Sequence, residues 1–222
     1  MNDQAYEVTH KHTQKAVRRI NEAIERGEAE VDLSELSIAK IPKELLKLAD
    51  TLEWLGLSHT NVSDISPLAN LTNLKRLYLG GTNVSDISSL ANLTKLQAIS
   101  LWRTGVSDIS SLANLKNLKE LDLHYTKVCD VSPLAHLTNL EWLFLSDARV
   151  TDISPLANLP KLKSLILRNT NVSDISPLAN LSKLGWLDLS RSPLVKSLEN
   201  VQALEKLREN GCKIYGTEEI MK

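Results

Sequence analysis

The side chains best suited to chemistry are six aspartates that recur at a constant interval along the chain: Asp64, Asp86, Asp108, Asp130, Asp152 and Asp174. A regular row of carboxylates could bind calcium, which prefers oxygen ligands. However, the surrounding sequence lacks the glycine-rich repeat of calcium-binding β-rolls, and each aspartate stands two residues before a serine. An aspartate placed in this way can accept a hydrogen bond from its own backbone in an Asx turn. The pattern therefore favours a structural role over a calcium site.

The remaining reactive side chains do not form a catalytic pattern. Cys129 stands where other copies of the repeat carry Ser63 or Ser85, and the repeat spacing places no histidine beside it. Among the histidines, only His10 and His12 have a spacing compatible with metal ligation. The sequence contains no phosphate-binding loop, GxSxG or HExxH motif. We therefore expect no enzymatic activity, no cofactor and no metal site.

The aromatic residues have an uneven distribution. The chain contains four Trp, four Tyr and one Phe. Seven of these nine fall on predicted outward strand positions or directly after them, namely Trp54, Tyr78, Trp102, Tyr125, Trp142, Phe144 and Trp186. Strands favour aromatic residues and leucine occupies the predicted core positions, which explains part of the bias. Exposed large apolar groups also mark interaction sites, so we expect all four tryptophans to be exposed.

These residues are carried by a 22-residue unit that is written six times between residues 52 and 183, with a fading seventh copy from Leu184. Each copy begins with an LxxLxL pattern, as in Leu52, Leu55 and Leu57. An internal period of about 20 to 29 residues with this pattern is typical of leucine-rich repeats, which the chain resembles. The resemblance implies an α/β fold: a right-handed solenoid with a parallel β-sheet on the concave face and short helical or 3-10 turns on the convex face. Helical caps are expected at both ends.

Each repeat position can be assigned a role. Side chains alternate along a strand, so Leu55 and Leu57 should face the core while residues 54, 56 and 58 face outward. Ser66 followed by proline predicts an N-cap of a short turn, which Asn70 should end in a left-handed conformation. The ninth position is threonine in most copies, and its hydroxyl is expected to bond the neighbouring turn. Ala148 has no hydroxyl, so we predict that its repeat lacks this hydrogen bond and is defective at this position.

We predict one domain over residues 1–222, divided into an N-terminal cap (1–28), an atypical first repeat (29–51), the 22-residue repeats (52–195) and a C-terminal cap (196–222). Residues 1–12 lack apolar periodicity and are expected to be loosely held. A helix should run from an N-cap at Thr13 to a C-cap at Gly27.

The C-terminal cap is predicted from a change of pattern. Leu198, Val201, Leu204 and Leu207 follow helical spacing, which should place them on one inward face. The segment 212–215 should then add an extended piece over the open edge of the sheet.

Charge and cysteine content limit the partners and the compartment. The chain has 26 Lys and Arg against 27 Asp and Glu, a net charge of −1, which disfavours nucleic acid and anionic membranes as partners. No apolar run approaches the roughly 20 residues of a membrane span. The distant pair Cys129 and Cys212 does not suggest a disulfide framework, which fits a reducing compartment. Since the N-terminus has no apolar signal segment, we expect a cytoplasmic protein, with secretion by a signal-less route or a trimmed start as alternatives.

We predict that the chain binds a partner protein through its concave face. The predicted contact residues are Trp54, Tyr78, Trp102, His124, Tyr125, Trp142, Phe144, Arg168 and Trp186, densest in repeats three to six. Charges of both signs, among them Arg76, Asp147 and Arg191, would form a polar rim. We expect a monomer, with pairing of two copies across their concave faces as an alternative.

The tail of each repeat resembles internalin-type bacterial repeats, in the segments NVSDISPLANLTNL (61–74) and NVSDISPLANLSKL (171–184). This resemblance covers roughly residues 52–195 and implies a concave face that binds host-cell proteins. The sequence departs from internalins in its N-terminal cap and in showing no signal peptide, immunoglobulin-like segment or wall anchor. Two alternatives therefore stay open: a regulatory or targeting subunit of a cytosolic enzyme, similar to leucine-rich repeat phosphatase regulators, and a carbohydrate-binding module. The near-identity of the copies also permits a recently expanded or designed sequence.

Overall fold

A computed structural model of the protein describes residues 3–217, with side chains from residue 7 onward. Its described part contains nine strands, each paired in parallel with the next in chain order to form one open sheet. The strands are β1 (Glu30–Asp32), β2 (Trp54–Gly56), β3 (Arg76–Tyr78), β4 (Ala98–Ser100), β5 (Glu120–Asp122), β6 (Trp142–Phe144), β7 (Ser164–Ile166), β8 (Trp186–Asp188) and β9 (Lys213–Tyr215). The predicted parallel sheet is confirmed, and Val31 pairs with Leu55 in the aligned first repeat.

The core follows from the repeated apolar positions. The central residue of each of the strands β1–β8 is buried, and so are the next leucine and the four apolar positions of the return segment. Stacking one repeat on the next joins them into one continuous cluster from Ala16 to Cys212. Each fully buried aliphatic side chain contributes about 1.5–3 kcal/mol. Every repeat contributes the same buried apolar positions to the core. The constant repeat length therefore sets the strand register, as in Leu55, which pairs with Leu77.

Short 3-10 helices return the chain between strands, as predicted. They span Lys43–Leu48, Ser66–Asn70, Ser88–Leu90, Ser110–Leu112, Ser132–Leu134, Ser154–Asn158 and Ser176–Asn180. Asp64 Oδ1 accepts the Ser66 N–H at 2.9 Å, and the other five aspartates of the row make the same bond. The Asx turn is confirmed, and the Ser66 N-cap is wrong because Asp64 supplies the acceptor. Asn70 is also not left-handed, since the turn ends at Leu71 with φ −85°.

The buried threonines bond within their own repeat. Thr60 Oγ1 donates to Leu57 O at 2.8 Å, and Thr82, Thr104, Thr126 and Thr170 do the same. The predicted bond to the neighbouring turn is therefore wrong, except at Ser192, whose hydroxyl donates to Leu167 O at 2.7 Å. Ala148 lacks the hydroxyl, but its backbone N–H still donates to Leu145 O at 3.1 Å. The turn at Ala148 therefore lacks the side-chain hydrogen bond but keeps the backbone one.

The N-terminal helix α1 spans Asp3–Arg26 and so begins well before the predicted start at Thr13. Residues 3–12, which we expected to be loosely held, are helical, and residues 1 and 2 lie outside the described part. The Thr13 hydroxyl donates to Thr9 O inside the helix. Buried Ala16, Ile20 and Ala23 face the core, and the helix packs on β1 and the first 3-10 helix. Gly27 has φ +65°, which confirms the predicted C-cap.

The C-terminal helix α2 spans Leu198–Glu209 and packs on the 3-10 helix Ser176–Asn180. Leu204 and Leu207 are buried as predicted, but Leu198 is 67% exposed, and Asn200 is buried where no inward position was expected. Strand β9 pairs with β8 and confirms the predicted extended segment. Residues 218–222 of the predicted cap lie outside the described part. Neither helix of the described part is long and apolar enough to cross a membrane.

Candidate functional site

The outward side chains of β1–β9, together with the turn after each strand, form a surface that we call the strand face. In β6, for example, Leu143 is buried while Trp142 and Phe144 point to the other side of the sheet. Three of the predicted contact residues are well exposed: Tyr125 at 57%, Trp142 at 37% and Trp186 at 41%. Arg168 is also exposed, whereas Trp54, Tyr78, Trp102, His124 and Phe144 are half-buried. The expected exposure therefore holds for two tryptophans and is only partial for Trp54 and Trp102.

Half-burial arises because aromatic rings pack on each other across neighbouring repeats. Trp54 lies 5.6 Å from Tyr78 between ring centroids, and Trp186 lies 4.8 Å from Tyr215. Parallel strands are about 4.8 Å apart, which brings side chains of successive repeats within reach of such contacts. The strand face is thus divided into separate aromatic clusters, and Tyr215 was absent from the predicted set.

The central cluster is built on Trp102. The His124 ring stacks on the indole at 5.5 Å with an interplanar angle of 5°, and the His59 ring meets it edge-on at 5.1 Å. His124 is itself fixed, because its Nδ1 and its backbone N–H both bond Asp122 Oδ1. The Tyr125 ring meets His124 edge-on, with ring centroids 5.4 Å apart. The sequence pattern did not indicate His59, although it occupies the same after-strand position as Tyr125.

Two glycines make room for tryptophans on the strand face. A Cβ on Gly80 would lie 1.9 Å from Trp102 Nε1, and a Cβ on Gly56 would lie 2.7 Å from Trp54 Cη2. Both distances are far below any real contact, so the indoles occupy space that a side chain would otherwise fill. Trp102 and Trp54 are therefore parts of the sheet surface as well as exposed groups.

The second half of the strand face is the more open one. Trp142 and Trp186 stand on β6 and β8 with the small Ser164 of β7 between them. Half-buried Ile166, missed in the sequence because isoleucine resembles a core residue, lies beside Phe144. Together these side chains form an apolar notch.

A charged pair borders this notch. Lys163 Nζ lies 5.2 Å from the Trp142 ring centroid, within range of a cation–π contact. The same ammonium donates to Glu141 Oε2 at 2.5 Å, which holds the pKa of that carboxyl below its usual value. The positive charge of the pair therefore lies over the Trp142 ring.

Next to the notch lies an open cleft of about 390 Å³. It brings together four predicted contact residues, His124, Tyr125, Phe144 and Arg168. Ser146, Asp147, Asn169 and Arg191 complete its lining. Trp142, Trp186 and the Trp54 pair lie outside it. The cleft joins aromatic walls to two guanidinium groups, which suits binding of a segment that is both apolar and anionic.

The titratable side chains of the strand face include one histidine–aspartate pair, His124 and Asp122. Within residues 7–217, no three His, Cys, Asp or Glu side chains are grouped so as to hold a metal ion. The Ser100 hydroxyl bonds Asp122 Oδ2 at 3.4 Å rather than the imidazole. The Asp122 carboxylate therefore orients the His124 ring.

Comparison with known proteins agrees with this architecture. A family model described as leucine-rich repeats in two copies matches residues 50–92, 94–136 and 138–180. No curated protein sequence matches the chain. Proteins with this fold are typical interaction scaffolds, and internalin-like members are generally non-enzymatic.

Solved structures give the more detailed comparison. An internalin (inlF) of Listeria monocytogenes superposes with a TM-score of 0.79 at 29% identity, over 90% of this chain and 67% of that one. Internalin C2 of the same organism gives 0.78 at 30% identity, over 83% of this chain and 86% of that one. A leucine-rich repeat protein of Leptospira interrogans, at 24% identity and a TM-score of 0.76, shares the fold over 84% of this chain and 48% of its own. The chain therefore belongs to the leucine-rich repeat family, with repeats of the internalin type.

Proposed function

We propose that the chain is a non-enzymatic scaffold that binds a partner protein through its strand face, on the concave side of the solenoid. The observation that carries this proposal is the outward placement of Trp142, Phe144 and Trp186 above a fully buried leucine core. Tryptophan and tyrosine in such positions often supply most of the binding energy of an interface.

Rigidity supports the same proposal. Each anchor is held by its own strand, whose backbone bonds run to the repeats on both sides; Trp142 N–H, for instance, donates to Lys119 O at 2.9 Å. The buried neighbour Leu143 prevents the strand from shifting. Little backbone entropy is then lost on binding, which favours affinity.

The predicted contact residues divide into two groups under this proposal. Tyr125, Trp142, Arg168 and Trp186 are exposed and would meet the partner directly. Trp54, Tyr78, Trp102, His124 and Phe144 would offer one face to the partner while packing on neighbouring repeats. Variants of the first group should therefore affect binding without disturbing the fold.

The test is affinity capture with the intact protein beside a Trp142→Ala/Trp186→Ala variant. Leu46→Ala/Leu198→Ala is the matched control, because it also removes two exposed apolar groups but lies outside the strand face. We expect the wild type and the control to capture the same partner. The tryptophan variant should bind it at least about 30-fold more weakly, the effect of losing one hot-spot residue.

Bound proteins are identified by mass spectrometry, affinities are measured by calorimetry, and circular dichroism checks the fold of each variant. Equal capture by the tryptophan variant and the wild type would contradict the proposal. Concentration-dependent dimers that the same variant abolishes would show that two copies pair through this surface.

A further inference from the structure

The turns that follow the strands carry a row of positive charge at one end of the sheet. We count repeats from the one that begins at Leu52. In repeats three to seven these turns are residues 102–105, 124–127, 146–149, 168–171 and 190–193. They carry five exposed basic residues, Arg103, Lys127, Arg149, Arg168 and Arg191, and one acidic residue, Asp147. The corresponding turns of repeats one and two, 58–61 and 80–83, contain no Lys, Arg, Asp or Glu. We call the five-residue row the basic rim.

The basic rim is unusual for this chain because the net charge of the whole sequence is −1. Within residues 7–217, none of its five side chains forms an ion pair or a side-chain hydrogen bond. Several basic residues at the opposite ends of the strands do form ion pairs, as Lys75 does with Glu53 at 2.7 Å. Arg76 likewise meets Glu30 at 3.0 Å. The positive charge of the basic rim is thus left for a partner.

Three acidic side chains of the strand face already accept hydrogen bonds. Asp122 is bonded by His124, and Asp188 Oδ1 accepts the Ser190 N–H at 2.9 Å. Asp147 Oδ1 accepts from Asn169 Nδ2 at 2.5 Å. Among the described residues, none of these carboxylates forms an ion pair with a guanidinium group, although Asp147 brings one negative charge into the cleft.

The geometry of the cleft is set by the backbone. Tyr125, Asp147, Asn169 and Arg191 have φ between +54° and +63°, and each stands at the same point of its turn. Residues other than glycine adopt a positive φ at an energetic cost, so this conformation persists only where the surrounding hydrogen bonds impose it. Here the Tyr125 N–H donates to Ser146 O at 2.8 Å, and Asp147 and Asn169 repeat the bond. The cleft is therefore a rigid feature.

The cleft has the dimensions of a peptide site. Its volume of about 390 Å³ lies within the usual range of binding pockets. It crosses the turns of repeats four to seven, which are three strand spacings apart, or about 14 Å. That distance matches about four residues of extended chain.

We propose that the cleft, through Arg168 and Arg191 of the basic rim, binds an acidic, extended segment of the partner protein. Carboxylates of the segment pair with Arg168 and Arg191, because a planar guanidinium can bind a carboxylate through two parallel hydrogen bonds. An adjacent aromatic or aliphatic side chain packs between Tyr125 and Phe144. This inference rests on the proposed function and specifies the chemistry of the partner.

The first test pans a random peptide display library against the intact folded protein. Enriched peptides should carry two or more acidic residues beside an aromatic or aliphatic one. Binding of a dye-labelled enriched peptide is then measured by fluorescence anisotropy. Replacing its Asp and Glu by Asn and Gln should abolish binding, and added salt should weaken it.

The decisive variant is Arg168→Gln/Arg191→Gln, which should bind the peptide at least about tenfold more weakly. Lys47→Gln/Lys183→Gln is its control, because it removes the same charge from two exposed lysines outside the strand face and should bind as the wild type does. Enriched peptides without acidic residues, or no enrichment beyond that seen with the arginine variant, would overturn the inference. Heparin or a single-stranded oligonucleotide that binds more tightly than the peptide would also overturn it, in favour of a polyanion site.

The two proposals fail in different ways. If capture of the partner requires Trp142 and Trp186 but not Arg168 and Arg191, the proposed function stands and the proposal of an acidic segment is wrong. If capture of the partner requires neither pair of residues, both proposals are wrong.

Discussion

The indole of Trp102 lies directly against Gly80 of the preceding repeat, where a Cβ would come within 1.9 Å of Nε1. The position of Trp102 on the strand face thus depends on the absence of a side chain at the equivalent position one repeat earlier. The stacked ring of His124 and the edge-on ring of His59 hold the indole in that space.

Gly80→Ala should displace Trp102 from this stack. Overpacking of this kind costs about 1–3 kcal/mol in the free energy of unfolding. Gly185→Ala is the matched control, since its Cβ would meet its nearest atom at an ordinary 3.8 Å. Urea unfolding measures the change in stability, and tryptophan emission reports the displacement of Trp102. Similar losses of stability in both variants would contradict the described packing.

Ala148→Thr should stabilise the protein by about 0.5–1.5 kcal/mol, the net value of one hydrogen bond. The new hydroxyl would donate to Leu145 O, as Thr126 donates to Leu123 O at 2.6 Å and Thr170 to Leu167 O at 2.7 Å. Thr126→Ala, the reverse change one repeat earlier, should lower the unfolding free energy by a similar amount. A loss of stability in Ala148→Thr would show that position 148 lacks room for the side chain.

Sequence periodicity predicted the sheet and its register because the constant repeat length places equivalent leucines, such as Leu55 and Leu77, in the same stack. It did not predict which donor serves which acceptor. Asp64 and Ser66 were both able to cap the same turn, and only local geometry decides for Asp64.

The ends of the solenoid were harder to predict because they do not follow the repeat. Residues 3–12 extend α1 without an apolar stripe, since adding polar residues to an existing helix is easier than starting one. Asn200 is buried by three specific hydrogen bonds that no apolar period could indicate.

Alternation along the strands predicted which residues of the candidate site face outward. Contacts between repeats were not predictable in this way. The half-burial of Trp54 and Trp102 depends on Gly56 and Gly80, and the stacking role of His59 depends on a ring two repeats away. Such relationships are set by side-chain shape rather than by spacing.

Asn200→Ala should destabilise the C-terminal cap by at least about 2 kcal/mol, because it leaves buried backbone groups without partners. Asn200 Oδ1 accepts the Ile175 N–H at 2.8 Å. Its Nδ2 donates to Ser173 O at 2.9 Å and Val195 O at 2.7 Å. Amide hydrogen exchange should show the loss first at residues 173–175 and in α2. An effect no larger than that of the exposed neighbour Glu199→Ala would contradict this role.

Acid should destabilise the protein through the aspartate row. Hydrogen bonds from the backbone N–H and then the hydroxyl of the following serine hold the pKa of Asp86, Asp108 and Asp152 below its usual value. Their stabilising effect is therefore complete above the ordinary carboxyl pKa of about 3.9 and is lost as the pH falls through the lower folded value. Urea midpoints measured across this range should fall less steeply in Asp152→Asn than in the wild type. If the urea midpoint of Asp152→Asn fell with pH as steeply as that of the wild type and of the control Asp50→Asn, Asp152 would not have the role assigned to it.

The two cysteines should differ sharply in reactivity, and the difference offers a probe of the C-terminal cap. Cys129 is exposed, whereas Cys212 is only 6% exposed and its burial raises its pKa to about 11. At neutral pH roughly one Cys212 thiol in ten thousand would be ionised, so a maleimide should label Cys129 alone in the native protein. Because Cys212 lies between α2 and β9, its labelling requires the cap to open, and Asn200→Ala should accelerate it while leaving Cys129 unchanged. Peptide mapping of the labelled protein distinguishes the two sites, and rapid native labelling of Cys212 would mean that the cap does not close the end of the sheet.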